Sequence, residues 1–223
     1  MSKGLFLEAI FKYLLGVLLI GLLIFLPAGT IKFLNGWIFM AILFIPILIA
    51  GIVMMVKNPE LLKSRLDAKE KEKSQNIIIK LSGLMFLVGF ILAGLDFRFK
   101  WIIIPQWVSY ISSGVLLLSY ILWAEVFREN TYLSRTIKVT DNQKVVDTGL
   151  YGIVRHPMYS ATIFLFLSMP LVLGSLISFF VFLLYPIIII FRIIYEEKFL
   201  EKELDGYTDY KKKVKYRLIP FIW

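Results

Sequence analysis

The sequence predicts an all-α, polytopic integral membrane protein with about six transmembrane helices and a cofactor site at the cytoplasmic face. Three observations carry the fold class. The chain of 223 residues is 59% hydrophobic, with a mean hydropathy of +0.78, where soluble domains run at about 45–50% apolar. The apolar residues fall into six blocks, at 5–27, 36–56, 77–96, 103–127, 157–173 and 175–195, each close to the ~20 residues a helix needs to cross ~30 Å of hydrocarbon. The polar connections between the blocks are alternately basic and almost uncharged.

Each block is read in turn. In the first, the run Leu14 to Leu26 leads into Pro27-Ala28-Gly29-Thr30 without an A-x-A site, so it reads as a retained span rather than a signal peptide. After the second comes the charged segment 57–75. Asn58 and Pro59 would open a short helix there, and a solvated loop fits the same residues. The fourth ends with Glu125 and Arg128, three apart and placed to pair. The fifth is short, opens at His156-Pro157 and is broken by Pro170. The sixth runs into a polar stretch with Phe199, Leu200 and Leu204 on one face. Gly206 is a plausible stop, and Tyr207 to Tyr216 would resume as a second short helix on the surface. In a bilayer each span must satisfy its own backbone, which leaves helix as the expected state.

Of the 25 lysines and arginines, all but Lys32, Arg98 and Lys100 fall in segments that six spans place on one side. That side, and with it both termini, is expected to be cytoplasmic. A single membrane domain is expected, with four spans in 1–127 and a C-terminal core with an amphipathic tail in 128–223. The net charge of +9 sits beside apolar blocks, which points to membrane lipids as partners rather than nucleic acid. No RNP, zinc-finger or P-loop pattern occurs. There is no Cys, and His156 is the one His, which excludes disulfides, thiolate chemistry and a zinc site built on Cys or several His.

Two stretches carry residues suited to chemistry. Residues 147–159 (DTGLYGIVRHPMY) form the polar entrance to the fifth span. Pro157 fits the first helical position and His156 should be extended before it. Unpaired N–H groups and the positive dipole end then lie beside Arg155 and His156, an arrangement that attracts an anion. Gly149 and Gly152 would let the backbone approach a ligand. On the sixth helix Arg192 and Glu196 share a face, and Glu197 points about 100° away. Charges at the end of a span face a bundle or a wet cavity rather than lipid. An anion site facing acidic groups suits a ligand such as S-adenosylmethionine, which carries a carboxylate, an ammonium and a sulfonium. Taken singly, each feature also has a structural reading: His156 as a packing or capping residue, Arg192 with Glu196 as a helix pair worth about 0.2–0.5 kcal/mol, and the glycines as a turn.

Three motifs occur in order: Thr148-Gly149-x-Tyr151-x-x-x-Arg155-His156-Pro157-x-Tyr159, then Glu196-Glu197-x-x-Leu200, then Tyr207-x-x-Tyr210-x-x-x-Val214-x-Tyr216-Arg217-x-x-Pro220. Together they resemble the isoprenylcysteine carboxyl methyltransferase family, which is grouped with the membrane phospholipid methyltransferases. The resemblance runs from about Phe127 to Trp223. Earlier residues match in general character, including Asn58-Pro59-Glu60-Leu61-Leu62. The resemblance implies S-adenosylmethionine as methyl donor, touched by Val146, Thr148, Gly149, Tyr151, His156, Pro157, Tyr159 and Glu196. It implies that Arg192 and Glu197 lie close to the acceptor. Ala161 stands where the family often has Gly, and the aromatic-rich pattern of prenylcysteine enzymes is missing. The acceptor therefore stays open among a prenylated cysteine carboxylate, a phospholipid amine or a similar amphiphile. Two other readings share part of the pattern: a sterol-type membrane reductase using NADPH, which has Arg-His-Pro-x-Tyr, and a non-enzymatic membrane scaffold. Glu196-Glu197 favours the methyltransferase over the first, and the dense polar motifs favour it over the second.

Overall fold

The structure, a computed structural model, describes residues 3–66, 73–130, 132–133, 139 and 142–223. Its helices are α1 (Lys3–Ala28), α2 (Leu34–Lys57), α3 (Pro59–Leu66), α4 (Lys73–Phe99), α5 (Gln106–Glu129), α6 (Pro157–Val172), α7 (Leu176–Phe182), α8 (Leu184–Glu203) and α9 (Tyr207–Lys213), with a 3-10 turn at Gly149–Gly152. The described residues contain no strand. Among the described residues five segments are long and apolar enough to cross a membrane: Gly4–Ala28, Leu34–Lys57, Ile77–Phe99, Gln106–Glu129 and Leu176–Glu203. This is the all-α, polytopic architecture that the apolar blocks predict.

The fifth block, α6, is the short one. Its 16 residues reach about 24 Å at 1.5 Å each, yet it runs between the two ends of the bundle. At its start Ser160 Oγ donates to the Leu218 carbonyl at 2.7 Å. At its end Gly174 lies against Asn35 and Ser109, which head α2 and α5. The helix passes through Pro170 and closes with Gly174 at φ +81°. There Gly174 N–H donates to Leu171 O and Ser175 N–H to Pro170 O, the paired bonds of a glycine-terminated helix. Ser175 then caps α7, accepting from Ser178 N–H at 3.2 Å. Its own hydroxyl donates to buried Asp96 at 2.6 Å. Pro186 has no N–H to offer the Phe182 carbonyl, so α7 and α8 break apart at Leu183.

Between apolar helices in lipid, association rests on close packing rather than on exclusion of water. Phe39, Phe90 and Phe182 are fully or almost fully buried, with Phe90 5.5 Å from Phe39 and 5.7 Å from Phe182 between ring centres. Phe86 meets the Phe182 ring edge-on at 5.4 Å. This cluster joins α2, α4 and α7, and α6 lies between α5 and α8.

The expected segregation of charge is visible in the contacts. At one end Lys12 Nζ donates to Leu66 O at 2.8 Å, and Arg65 Nη2 to Leu133 O at 2.6 Å. At the other end Gln106 Nε2 donates to Asn35 Oδ1 at 2.7 Å. Asn58 caps α3, accepting from Leu61 N–H at 3.1 Å, so the helix rather than the loop forms after the second span. Residues 67–72 of that segment lie outside the described residues. Arg128 pairs with Glu125 as expected. The short helix after Gly206 ends at Lys213, earlier than expected. Val214 turns to extended backbone because the next carbonyls bond elsewhere: Tyr216 O accepts from Arg155 N–H and Arg217 O from His156 N–H, both at 2.9 Å.

Candidate active site

An open cavity lies at the basic end of the bundle. One wall is the start of α6 with Arg155, His156, Met158 and Tyr159. A second is the inner end of α8 with Arg192, Glu196 and Leu200. A third comes from Leu204, Tyr207 and Tyr210, and the rim from Asn130, Tyr132, Leu133 and Gln143–Val146. Because α8 continues unbroken to Glu203, Arg192 and Glu196 stand on a rigid span rather than on a loop.

Tyr159 joins the first two walls. Its hydroxyl accepts from Arg192 Nε at 2.8 Å and donates to Glu196 Oε2 at 2.5 Å. Guanidinium, phenol and carboxylate thus form one chain, with donor and acceptor roles that agree. The i, i+4 spacing puts Arg192 and Glu196 on one face, and the phenol of a different helix lies between them.

Glu197 faces the other way. It is 3% exposed. Its Oε1 accepts from Arg155 Nε at 2.7 Å and lies 3.2 Å from His156 Nε2. Its Oε2 accepts from Arg217 Nε at 3.0 Å. Arg155 also donates from Nη1 to the carbonyls of Val214 and Lys215, at 2.7 and 2.9 Å. The expectation that Arg155, His156 and the start of α6 receive an anion is met by the protein's own carboxylate. Glu197 does not line the cavity; it ties α8 to α6 and to the tail.

Six of the expected residues line the cavity: Val146, Tyr151, His156, Tyr159, Arg192 and Glu196. Thr148, Gly149 and Pro157 do not, and for local reasons. Thr148 heads the 3-10 turn, its carbonyl accepting from Gly152 N–H at 3.2 Å. Pro157 is the buried first residue of α6. Gly149 has φ +54°, and a Cβ there would run into the carboxylate of Glu129, which accepts from Leu150 N–H at 2.8 Å. The close approach that this glycine permits is to Glu129 rather than to a ligand.

The aromatic wall was hidden among motif residues with no assigned role. Tyr210 donates its hydroxyl to the Tyr151 carbonyl at 2.8 Å, and its ring centre lies 5.7 Å from that of Tyr207. Tyr151 and Tyr207 are 7% and 4% exposed, and their hydroxyls are buried without a hydrogen-bond partner among the described residues. Asn130 comes near the Tyr151 hydroxyl without reaching hydrogen-bonding geometry. Burial raises the pKa of Tyr151, Tyr207 and Tyr210, and for Tyr207 the charges of Glu197 and Glu196 add to it. All three stay protonated, so the cavity keeps neutral donors. The i, i+3 spacing of Tyr207 and Tyr210 after Gly206 was the available signal, since it puts both rings on one face of α9.

Buried polar atoms in native proteins are paired in all but a few cases. Tyr151 and Tyr207 are exceptions among the described residues, with oxygens buried behind the cavity wall rather than open to its space. Their rings suit a cation, as does Glu196, while Val145, Val146, Leu200 and Leu204 offer apolar cover to a flat base. These residues fit S-adenosylmethionine.

No curated protein matches the chain. Residues 107–205 match the model of a family described as phospholipid methyltransferase, which bears out the family resemblance of the motifs over α5 to α8 and supports a membrane methyltransferase.

Proposed function

We propose that the protein is an S-adenosylmethionine-dependent methyltransferase acting on a lipidic or amphiphilic acceptor at the cytoplasmic face of the membrane. The observation that carries this reading is the Arg192–Tyr159–Glu196 chain lining a cavity at the basic end of an apolar bundle. The excess of lysine and arginine at that end supports the cytoplasmic assignment.

When bound, S-adenosylmethionine supplies an electrophilic methyl group on sulfur. Glu196 and the ring of Tyr207 would hold its ammonium and sulfonium groups. Val146, Leu200 and Leu204 would cover its base. The displacement at carbon needs alignment more than acid or base catalysis, and holding two reactants in line is worth up to about 7–11 kcal/mol. Arg192 is placed to orient the acceptor's polar head, with Tyr159 fixing the guanidinium plane. Its planar fork suits a carboxylate or phosphate group. A carboxylate acceptor attacks without losing a proton. An ammonium acceptor gives one up first, and Glu196, through Tyr159, is the nearest acceptor chain. Glu197, closed off by two arginines and His156, serves as a brace.

The test is calorimetric titration of detergent-solubilised protein with S-adenosylmethionine and, separately, with NADPH. This is followed by incubation with methyl-labelled donor and a total lipid extract. Binding of the first ligand alone and label in a lipid are expected. Specific binding of NADPH without S-adenosylmethionine would overturn the reading in favour of a reductase.

A further inference from the structure

The cavity draws on a cation from the first half of the chain, outside the segment that carries the family match. Arg65, on α3, lays its guanidinium over the Phe127 ring, 4.0 Å from the ring centre. Its Nη2 donates to the carbonyl of Leu133 at 2.6 Å. Its Nε is buried without a partner, and no carboxylate pairs with it among the described residues. Burial lowers its pKa to about 10, and the nearby Tyr151 partly offsets that effect. An arginine so placed stays charged at neutral pH, and a half-buried cation without a counter-ion carries a desolvation cost. Packing alone would be met by an apolar residue of similar length.

The location makes sense of the cost. Leu133, which accepts the Arg65 hydrogen bond, lines the cavity, and so does Tyr151, whose hydroxyl is the other orphan in this region. One residue's thickness separates the guanidinium from the ligand space. The other arginines near the cavity are committed: Arg155 and Arg217 hold Glu197, and Arg192 donates toward Tyr159. Glu196 adds negative charge to the cavity. A zwitterionic ligand needs positive potential at its carboxylate end, and Lys144, the remaining lysine on the rim, is exposed to solvent, where its field is screened.

We propose that Arg65 is a positioning residue of the ligand cavity, holding the rim at Leu133 in place and supplying, from behind Leu133 and Tyr151, the positive potential that favours the carboxylate end of the bound donor. The inference rests on the methyltransferase reading above. It ties α3 to the site and assigns the N-terminal half a part in ligand selection. Field strength falls slowly across a low-dielectric wall, so direct contact is not required.

The experiment compares two ligands on three proteins. S-adenosylhomocysteine carries the carboxylate; S-adenosyl-3-thiopropylamine lacks only that group. Their affinities are measured by calorimetry on the wild-type chain, Arg65→Met and Arg65→Lys in detergent. Arg65→Met is expected to weaken S-adenosylhomocysteine by about tenfold, the size of one partly screened charge interaction, and to leave the amine ligand within about twofold. Arg65→Lys keeps the charge and loses the planar stack, so it should retain most of the preference for the carboxylate. Equal losses for both ligands, or no loss for either, would overturn the proposal and leave Arg65 as packing. If Arg65→Met does not fold, Arg65→Lys decides: a preference kept supports the role of charge, and a preference abolished overturns it. Failure of the wild-type chain to bind either ligand would instead sink the methyltransferase reading, and this inference with it.

Discussion

Glu196 and Glu197 are neighbours in sequence with opposite roles in space, and substituting each in turn separates bracing from binding. Both carboxylate oxygens of Glu197 are engaged, at 2.7 Å with Arg155 and 3.0 Å with Arg217, and its side chain is 4% exposed. Arg155 is 4% exposed as well. Removing one member of a buried ion pair leaves the other charge uncompensated and costs about 3–5 kcal/mol. At about 2–4 °C per kcal/mol for a chain of this size, Glu197→Ala should lower Tm by roughly 6–20 °C. Glu197→Gln keeps the shape and one acceptor, and should fall in the lower half of that range. Glu196→Gln removes a charge that faces the cavity and keeps an acceptor for Tyr159, so Tm should move by no more than about 2 °C. Affinity should show the reverse order. Loss of a charge-assisted contact to a cation is worth about 1.5–3 kcal/mol, so Glu196→Gln should weaken S-adenosylmethionine by roughly 10- to 100-fold. Glu197→Gln should weaken it by much less when measured well below its own Tm. Thermal unfolding and calorimetry on the same detergent preparations give both numbers. A Glu197→Gln protein with unchanged Tm and lost turnover would refute the bracing assignment and return Glu197 to the acceptor.

Three further outcomes are expected. Arg192→Ala should cut turnover by more than about tenfold while S-adenosylmethionine affinity stays within about threefold, and Arg192→Lys should also be impaired because a point charge does not replace the planar fork; parallel losses of affinity and turnover would show that Arg192 only braces Tyr159 and Glu196. Gly149→Ala should destabilise the protein by about 1–3 kcal/mol, since the position has φ +54° and its Cβ would displace the Glu129 carboxylate from Leu150 N–H; an unchanged Tm would mean that the turn relaxes freely. A cysteine introduced at Lys144, in a chain with no other Cys, should react with a membrane-impermeant maleimide only from the cytoplasmic side, and labelling from outside would reverse the assigned orientation.

The spans were legible because each apolar block is long and the connections between them are sharply polar. Even the short fifth block announced itself, through His156-Pro157 at its start and Pro170 near its end. The cavity was legible in part. Helical periodicity separates Glu196 from Glu197 by about 100° but does not say which of them faces a ligand. That choice is made by Arg217, which is 20 residues further on and reaches back to Glu197. Arg155 and His156 carry the marks of an anion site whether the anion is a ligand or a carboxylate of the same chain. Gly149 likewise announces a close approach without naming what approaches. The orphan hydroxyls of Tyr151 and Tyr207 have no trace in the sequence at all, because satisfaction of a hydrogen bond is a property of the packed state. Arg65 was hidden within a charge run that reads as a solvated helix.

These residues divide the site by origin, and the division bears on how substrate is chosen. The chain Arg192–Tyr159–Glu196 lies wholly within residues 107–205, the segment with the family match. Tyr207, Tyr210 and Arg217 lie after it and Arg65 before it. The groups nearest the proposed chemistry therefore sit on α6 and α8, while the walls and the half-buried charge behind them come from flanking parts of the chain. A lipidic acceptor cannot reach such a site through water, because each exposed CH₂ costs about 0.8 kcal/mol. It has to slide in from the bilayer beside the inner end of α8, where Phe191 and Tyr195 are 56% and 46% exposed, and bring its polar head to Arg192. On the proposed reading the donor, soluble and charged, arrives from the opposite direction, past the rim of Asn130, Tyr132, Leu133 and Lys144. The two routes meet at Tyr159. On this reading, substitutions at Phe191 and Tyr195 should change which acceptor tail is preferred without touching donor affinity. Substitutions on the aromatic wall should change donor affinity for every acceptor alike.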